Sequence, residues 1–177
     1  LVITFNTNAT PTAVQALVKN ITYQNTDTDN PTAGARTVRY VITDGAGGTS
    51  ANYDATVNVT GVNDAPVMSN LTGDTLAYSE GAGALVIEQG GNATVTDADN
   101  ANFNTGTLTV SLAAGSDSAE DVLAIRNEGA SAGQIGISGL NVQYGGVTIG
   151  TYTGGSSGAN LVITFNTNAT PTAVQAL

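Results

Sequence analysis

Cysteine, histidine and tryptophan are all missing from this 177-residue chain. Without cysteine there is no disulfide, no thiolate metal site and no cysteine nucleophile, and without histidine most zinc chemistry is excluded as well. Basic residues are almost as scarce. Lys19, Arg36, Arg39 and Arg126 stand against 14 acidic residues, for a net charge of −10. Such a chain repels nucleic acid and anionic membranes, which are held through cationic patches, and it suits divalent cations. The same acidity also keeps an exposed protein soluble. No stretch approaches the ~18 consecutive apolar residues of a membrane-spanning helix. No signal peptide is visible, but the sequence opens inside a repeat, so this carries no information about export.

Aromatics are also few, with three Phe and six Tyr, most of them on expected core faces. A sugar-cleaving cleft needs aromatic walls as well as paired carboxylates, so no enzyme is expected here. Charged residues make up 10% of the chain, against roughly 25% in an average domain. What fills the space is Thr, Asn, Ser and 22 glycines, with one Met and one Lys. That mixture favours strands and turns over helices.

The most informative feature is a repeat. Leu1–Leu17 reads LVITFNTNATPTAVQAL, and residues 161–177 repeat it letter for letter. Seventeen successive matches imply a tandem array with a period of 160 residues. Within the repeated stretch LVITF has the pattern of a strand. Thr10–Pro11 then starts a short helix, with Thr10 as N-cap and Pro11 at the first helical position. Thr10–Asn20 is too short to stand alone as a helix and must dock on a sheet. Both copies are expected to adopt the same strand–helix form.

Further along, Arg36–Thr43 and Ala51–Thr60 alternate apolar and polar residues around the glycine-rich connection Asp44–Ser50, the signature of a hairpin. Gly61–Val67 (GVNDAPV) breaks the pattern and reads as a junction, dividing the chain into 1–62, the back of one repeat, and 63–177, the front and middle of the next. Short strands are expected at Val67–Leu71, Thr75–Ser79, Leu85–Ile87, Ala93–Thr96, Thr107–Leu112, Val122–Arg126, Gln134–Ser138, Val142–Tyr144 and Val147–Tyr152. Many short strands separated by turn signals define an all-β class and point to a sandwich.

Two loops carry the spacing Asp-x-Asp-Asn: Asp27, Asp29 and Asn30, and Asp97, Asp99 and Asn100. Calcium takes six to eight oxygens, and alternate residues in a turn can aim two carboxylates at one point. The same residues can instead form their own turns by accepting nearby backbone N–H groups. Asp117, Glu120, Asp121 and Asp44 fit the turn-forming or solvated role better.

The junction VNDAPV (Val62–Val67), the loop VTDADNANF (Val95–Phe103) and TDGAGGTS (Thr43–Ser50) resemble the repeats of giant secreted bacterial adhesins. The resemblance extends over Ala124–Gly155 and over the stretch beginning FNTNATPTAVQALVKNITYQN. It implies cadherin-like, Ig-like β-sandwich modules, here with one short docked helix (Thr10–Asn20 and its copy from Thr170). It also implies an extracellular or cell-surface location, and Ca2+ held where successive modules meet. On the matching positions, Asn63 and Asp64 would be the linker ligands, Asp97, Asp99 and Asn100 the DxD loop, and Glu80 the early acid. Asp27 and Asp29 are a further candidate pair on spacing alone. The linker is shorter and less acidic than the DxNDN of cadherins. The expected partners are neighbouring copies of the same repeat, in a calcium-stiffened stalk or in a self-assembling filament or sheath. A carbohydrate-binding module is the third possibility, with Tyr78, Tyr144 and Tyr152 as the platform to look for.

Overall fold

The computed structural model describes every residue, Leu1–Leu177. The chain divides into two compact units, Leu1–Gly61 and Val62–Leu177. Nine strands and two short helices give an all-β protein whose sheets are antiparallel throughout.

The first unit holds helix α1 (Pro11–Val18) and a hairpin of β1 (Gly34–Tyr40) and β2 (Tyr53–Val59). Thr10 caps α1 as its sequence requires: its hydroxyl accepts from the Ala13 N–H at 3.3 Å, and Pro11 needs no acceptor. Asn20 closes the other end, its N–H on Leu17 O at 2.9 Å and its side-chain amide on Ala16 O at 2.8 Å. The hairpin pairs Val38 with Ala55 and Tyr40 with Tyr53, and Arg39 spans to Asp54 in a forked ion pair at 2.8 and 2.9 Å. A single bridge, Thr43 to Thr49, continues the ladder towards the turn. No residue of this unit is buried.

The second unit is built on a five-stranded sheet in the order β5 (Thr107–Val110), β9 (Leu161–Phe165), β8 (Val147–Thr153), β7 (Asn141–Tyr144), β6 (Ile135–Ser138). The last four strands form a meander. Its β7–β8 corner is Gly145–Gly146, both at positive φ (58° and 82°), as a two-residue hairpin turn demands. A smaller sheet pairs β3 (Val67–Ser69) with β4 (Thr94–Thr96), and helix α2 (Pro171–Gln175) packs beside β4, the Gln175 side chain accepting from the Val95 N–H at 3.3 Å.

The core lies between these layers. Nine apolar residues are buried: Ile135, Val142 and Ile149 come from β6, β7 and β8, and Leu161, Ile163, Phe165, Ala169, Ala173 and Val174 come from the second copy of the repeated stretch. Two-thirds of the buried set therefore lies in seventeen residues. Burying each large side chain of this kind contributes about 1.5–3 kcal/mol, so the tail is what makes this unit cohere.

Four expected strands are absent. Thr75–Ser79, Leu85–Ile87 and Val122–Arg126 carry the right residues but pair with no neighbouring strand, and a strand without a ladder is not one. Leu1–Phe5 is the fourth. Its second copy becomes β9 by pairing with β5 on one side and β8 on the other. The first copy has no such flanking strands and stays open, while the turn and helix that follow repeat closely.

Candidate functional site

The loop after β4 carries Asp97, Asp99 and Asn100, all half-buried. Asp97 Oδ1 accepts the N–H of Asn100 at 2.8 Å and of Asp99 at 3.3 Å, the turn that an Asx residue makes with its own backbone. The Asn100 N–H, the larger of these influences, holds the Asp97 carboxyl below its ordinary range against a smaller opposing effect of desolvation. Asp99 is thereby turned towards the start of the unit. Its Oδ2 accepts the backbone N–H of Asp64 at 3.3 Å, and its Oδ1 accepts the Asn100 side-chain amide at 3.0 Å. That amide also donates to Asn63 Oδ1 at 3.1 Å, and Asn63 in turn donates to Asp64 O at 2.8 Å.

Five of the sequence candidates (Asn63, Asp64, Asp97, Asp99 and Asn100) thus form one hydrogen-bonded group, although 35 residues separate Asp64 from Asp99. The tail holds the loop in place. Phe103 N–H donates to Ala169 O at 2.9 Å, Thr105 N–H to Phe165 O at 3.1 Å, and the rings of Phe103 and Phe165 lie 6.2 Å apart. Both anchors on the tail, Phe165 and Ala169, are buried.

The donor set is oxygen only: three carboxylates and two amide oxygens, suited to a hard cation such as Ca2+ rather than to a soft metal. Neither ion pair of the chain, Arg39–Asp54 or Arg126–Glu128, involves this group, and Asp97 and Asp99 are met by N–H donors instead. The three carboxylates are not gathered into a group that could hold a metal ion as they stand.

The remaining candidates lie elsewhere. Asp27 and Asp29, in the first unit, are exposed and reproduce the same turn, Asp27 Oδ1 accepting from Asp29 N–H at 3.1 Å and Asn30 N–H at 3.0 Å. Glu80 is exposed and is not a partner of the group. Tyr144 and Tyr152 are partly buried against the core, and Tyr78 stands exposed on an unpaired segment. They give no aromatic platform on a sheet face.

Several acids outside the candidate group prove to be turn-builders. Asp44 accepts from Ala46 N–H at 2.8 Å and Gly48 N–H at 2.9 Å, and Ala46 first, then Gly48, lower its carboxyl's affinity for a proton. A Cβ at Gly48 would stand 2.4 Å from Asp44 Oδ2, so a larger residue there would make the Asp44 side chain shift. Asp117 and Asp121 share a loop in which the Asp117 N–H donates to Asp121 Oδ2 at 2.7 Å. Glu88 was not singled out in the sequence, yet it binds the N–H groups of Gly91 and Asn92 at 2.6 and 3.0 Å, and the Asn92 contact leads in lowering its pKa. The signal was available: an acid just ahead of Gly-Gly-Asn.

No protein-family model, curated protein or solved structure matches the chain.

Proposed function

We propose that the chain is a structural module of a large extracellular adhesin or surface fibre, an Ig-like sandwich repeated in tandem and stiffened by Ca2+ where modules meet. The observation that carries this reading is the meeting of Asn63–Asp64, at the start of the second unit, with the Asp97–Asp99–Asn100 loop. A cation there would tie the entry segment of a module to an internal loop that the core anchors through Phe103. It would fix the angle at which the module leaves its neighbour. In its absence the net charge of −10 per chain loosens the array by self-repulsion. The five-stranded sheet facing β4 and α2 across a shared core supports the sandwich assignment.

The test is a thermal melt and a small-angle scattering profile of a multi-repeat protein, with Ca2+ and with chelator. Binding at a hundredfold excess over Kd stabilises the folded state by about 2.7 kcal/mol. The expected result is a raised melting temperature and a longer particle in Ca2+. Identical melts and identical profiles in the two conditions would remove calcium from the account.

A further inference from the structure

Asp44–Gly45 is the only place in the chain where an Asp or Asn is followed by glycine, although there are 22 glycines, so each 160-residue period carries it once. Such a pair is reactive in itself. The backbone nitrogen of the second residue can attack the side-chain carboxyl of the first, and glycine offers no Cβ to hinder the approach. Gly45 N would bond to Asp44 Cγ, while the amide proton and the carboxyl hydroxyl leave together as water, giving a five-membered succinimide. Water then opens the ring at either carbonyl. One opening restores aspartate. The other leaves isoaspartate, in which the main chain runs through the former side chain and is one methylene longer.

The native turn opposes both requirements of the attack. The reactive form is the neutral acid, because a carboxylate has no group that leaves readily. Asp44 Oδ1 accepts the N–H groups of Ala46 at 2.8 Å and Gly48 at 2.9 Å, and these hold the carboxyl in its charged form. Attack also needs the reacting atoms aligned at about 3–3.5 Å. The same two bonds fix the side chain over the turn, with Oδ2 against Gly48, and block the rotations that would bring Gly45 N onto Cγ. The main chain is closed as well. Asp44 N–H donates to Gly48 O at 3.1 Å, Ser50 N–H donates to Ile42 O at 2.9 Å, and Thr43 bridges Thr49. Asp44 and Gly45 are nonetheless exposed, so water for hydrolysis is at hand once the turn opens.

We propose that Asp44–Gly45 is a modification site gated by opening of the hairpin: the closed turn keeps it as aspartate, and a repeat whose turn has opened converts it to isoaspartate. Conversion makes the opening permanent. The carboxylate moves to a new place on a longer main chain, so it no longer meets the Ala46 and Gly48 N–H groups, and the Asp44–Gly48 backbone bond falls out of register. A tandem array then carries one covalent mark for each repeat that force, heat or acid has held open. The site lies wholly within one turn and requires no Ca2+, so it stands apart from the calcium reading.

The test compares the full chain in buffer, the full chain in guanidinium and the capped peptide Thr43–Ser50, all at one mildly acidic pH and one temperature. Isoaspartate is read by electron-transfer fragmentation of the digest and by methyl uptake with an isoaspartyl methyltransferase. The chain in guanidinium should match the peptide. The chain in buffer should convert at least about tenfold more slowly, since attack waits on a minor open state. Gly48→Ala, which makes the Asp44 side chain shift, should raise the rate in buffer severalfold and leave the rate in guanidinium unchanged. Amide exchange along β1–β2 in that variant tells whether the gate is the turn alone, with protection kept, or the whole hairpin, with protection lost. A chain in buffer that converts at the rate of the peptide, or a Gly48→Ala chain no faster than its parent, overturns the proposal.

Discussion

Ile3 and Ile163 occupy the same place in the same seventeen-residue sequence, yet the first is 42% exposed and the second 1%. Ile163 sits on β9 with Leu108 opposite it on β5 and Tyr152 opposite it on β8. Ile3 has neither neighbour. Identical local sequence with different burial isolates what tertiary packing adds. Ile163→Ala removes a fully enclosed side chain and should cost about 2–5 kcal/mol in a urea melt of dilute protein. Ile3→Ala should change that transition by less than about 0.5 kcal/mol. Equal effects would mean that the head is packed in solution as the tail is.

The caps provide a second internal comparison. Thr170 and Thr10 accept from the N–H three residues on at 3.2 and 3.3 Å, so their bonds are equivalent. Thr170→Ala frays a helix whose Ala173 and Val174 are in the core, and the expected loss is about 1 kcal/mol. Thr10→Ala frays a helix with no buried residue, and the melt of the second unit should not move. Hydrogen exchange at Ala13 and Ala173 reads the two effects separately.

How much of this could be read in advance depended on the range of the interaction responsible. The caps at Thr10 and Thr170 and the turns at Asp27, Asp44 and Asp97 involve partners two to four residues away, and residue type at short spacing specifies them. The β1–β2 hairpin was legible for the same reason, since alternating strands flank a glycine-rich turn. Leu1–Phe5, Leu85–Ile87 and Val122–Arg126 have strand composition, but pairing needs a partner that pattern does not supply. The contact of Asn63–Asp64 with Asp99–Asn100 spans more than thirty residues, and no spacing rule in the sequence reaches that far. Family resemblance suggested the grouping; periodicity could not.

Gly155, in the β8–β9 connection, has no room for a side chain. It stands at φ +88°, where a side chain is strained, and a Cβ would lie 2.2 Å from the Leu123 carbonyl oxygen. That closeness is used, since the Leu123 N–H donates to Gly155 O at 2.7 Å and fastens an otherwise unpaired segment to the sheet. Gly155→Ala should cost more than about 2 kcal/mol in thermal unfolding, with Leu123 losing its exchange protection first. A variant as stable as the parent would show that the segment is not fastened there.

Acid should destabilise both units late and for a definable reason. Asp44, Asp54, Glu88 and Asp97 all have pKa values lowered on folding: Asp54 by its bond to Arg39, and the others chiefly by backbone N–H donors. A group with a depressed folded pKa contributes stability above its unfolded value, and that contribution fades as pH falls through the folded one. Ordinary values here are 3.8 for Asp and 4.5 for Glu, so the melting temperature should hold from neutral pH to about pH 5 and fall below about pH 4. In Asp97→Asn the fall should be shallower in the second unit. A transition centred above pH 5 would require some other group.

Asp99 separates a cation ligand from a turn-builder, because its two oxygens serve neighbours that an amide can partly satisfy. In Asp99→Asn the side-chain oxygen can still accept the Asp64 N–H, so in chelator the melt should stay near that of the parent. What the substitution removes is charge, the property a hard cation needs. Addition of Ca2+ should therefore raise the melting temperature of the parent chain and leave Asp99→Asn unmoved. Asp27→Asn, in the exposed loop of the same spacing, should respond to Ca2+ as the parent does. If Asp99→Asn keeps the full calcium shift while Asp27→Asn loses it, the cation belongs to the first unit. The Asp64–Asp99 bond is then a structural clasp.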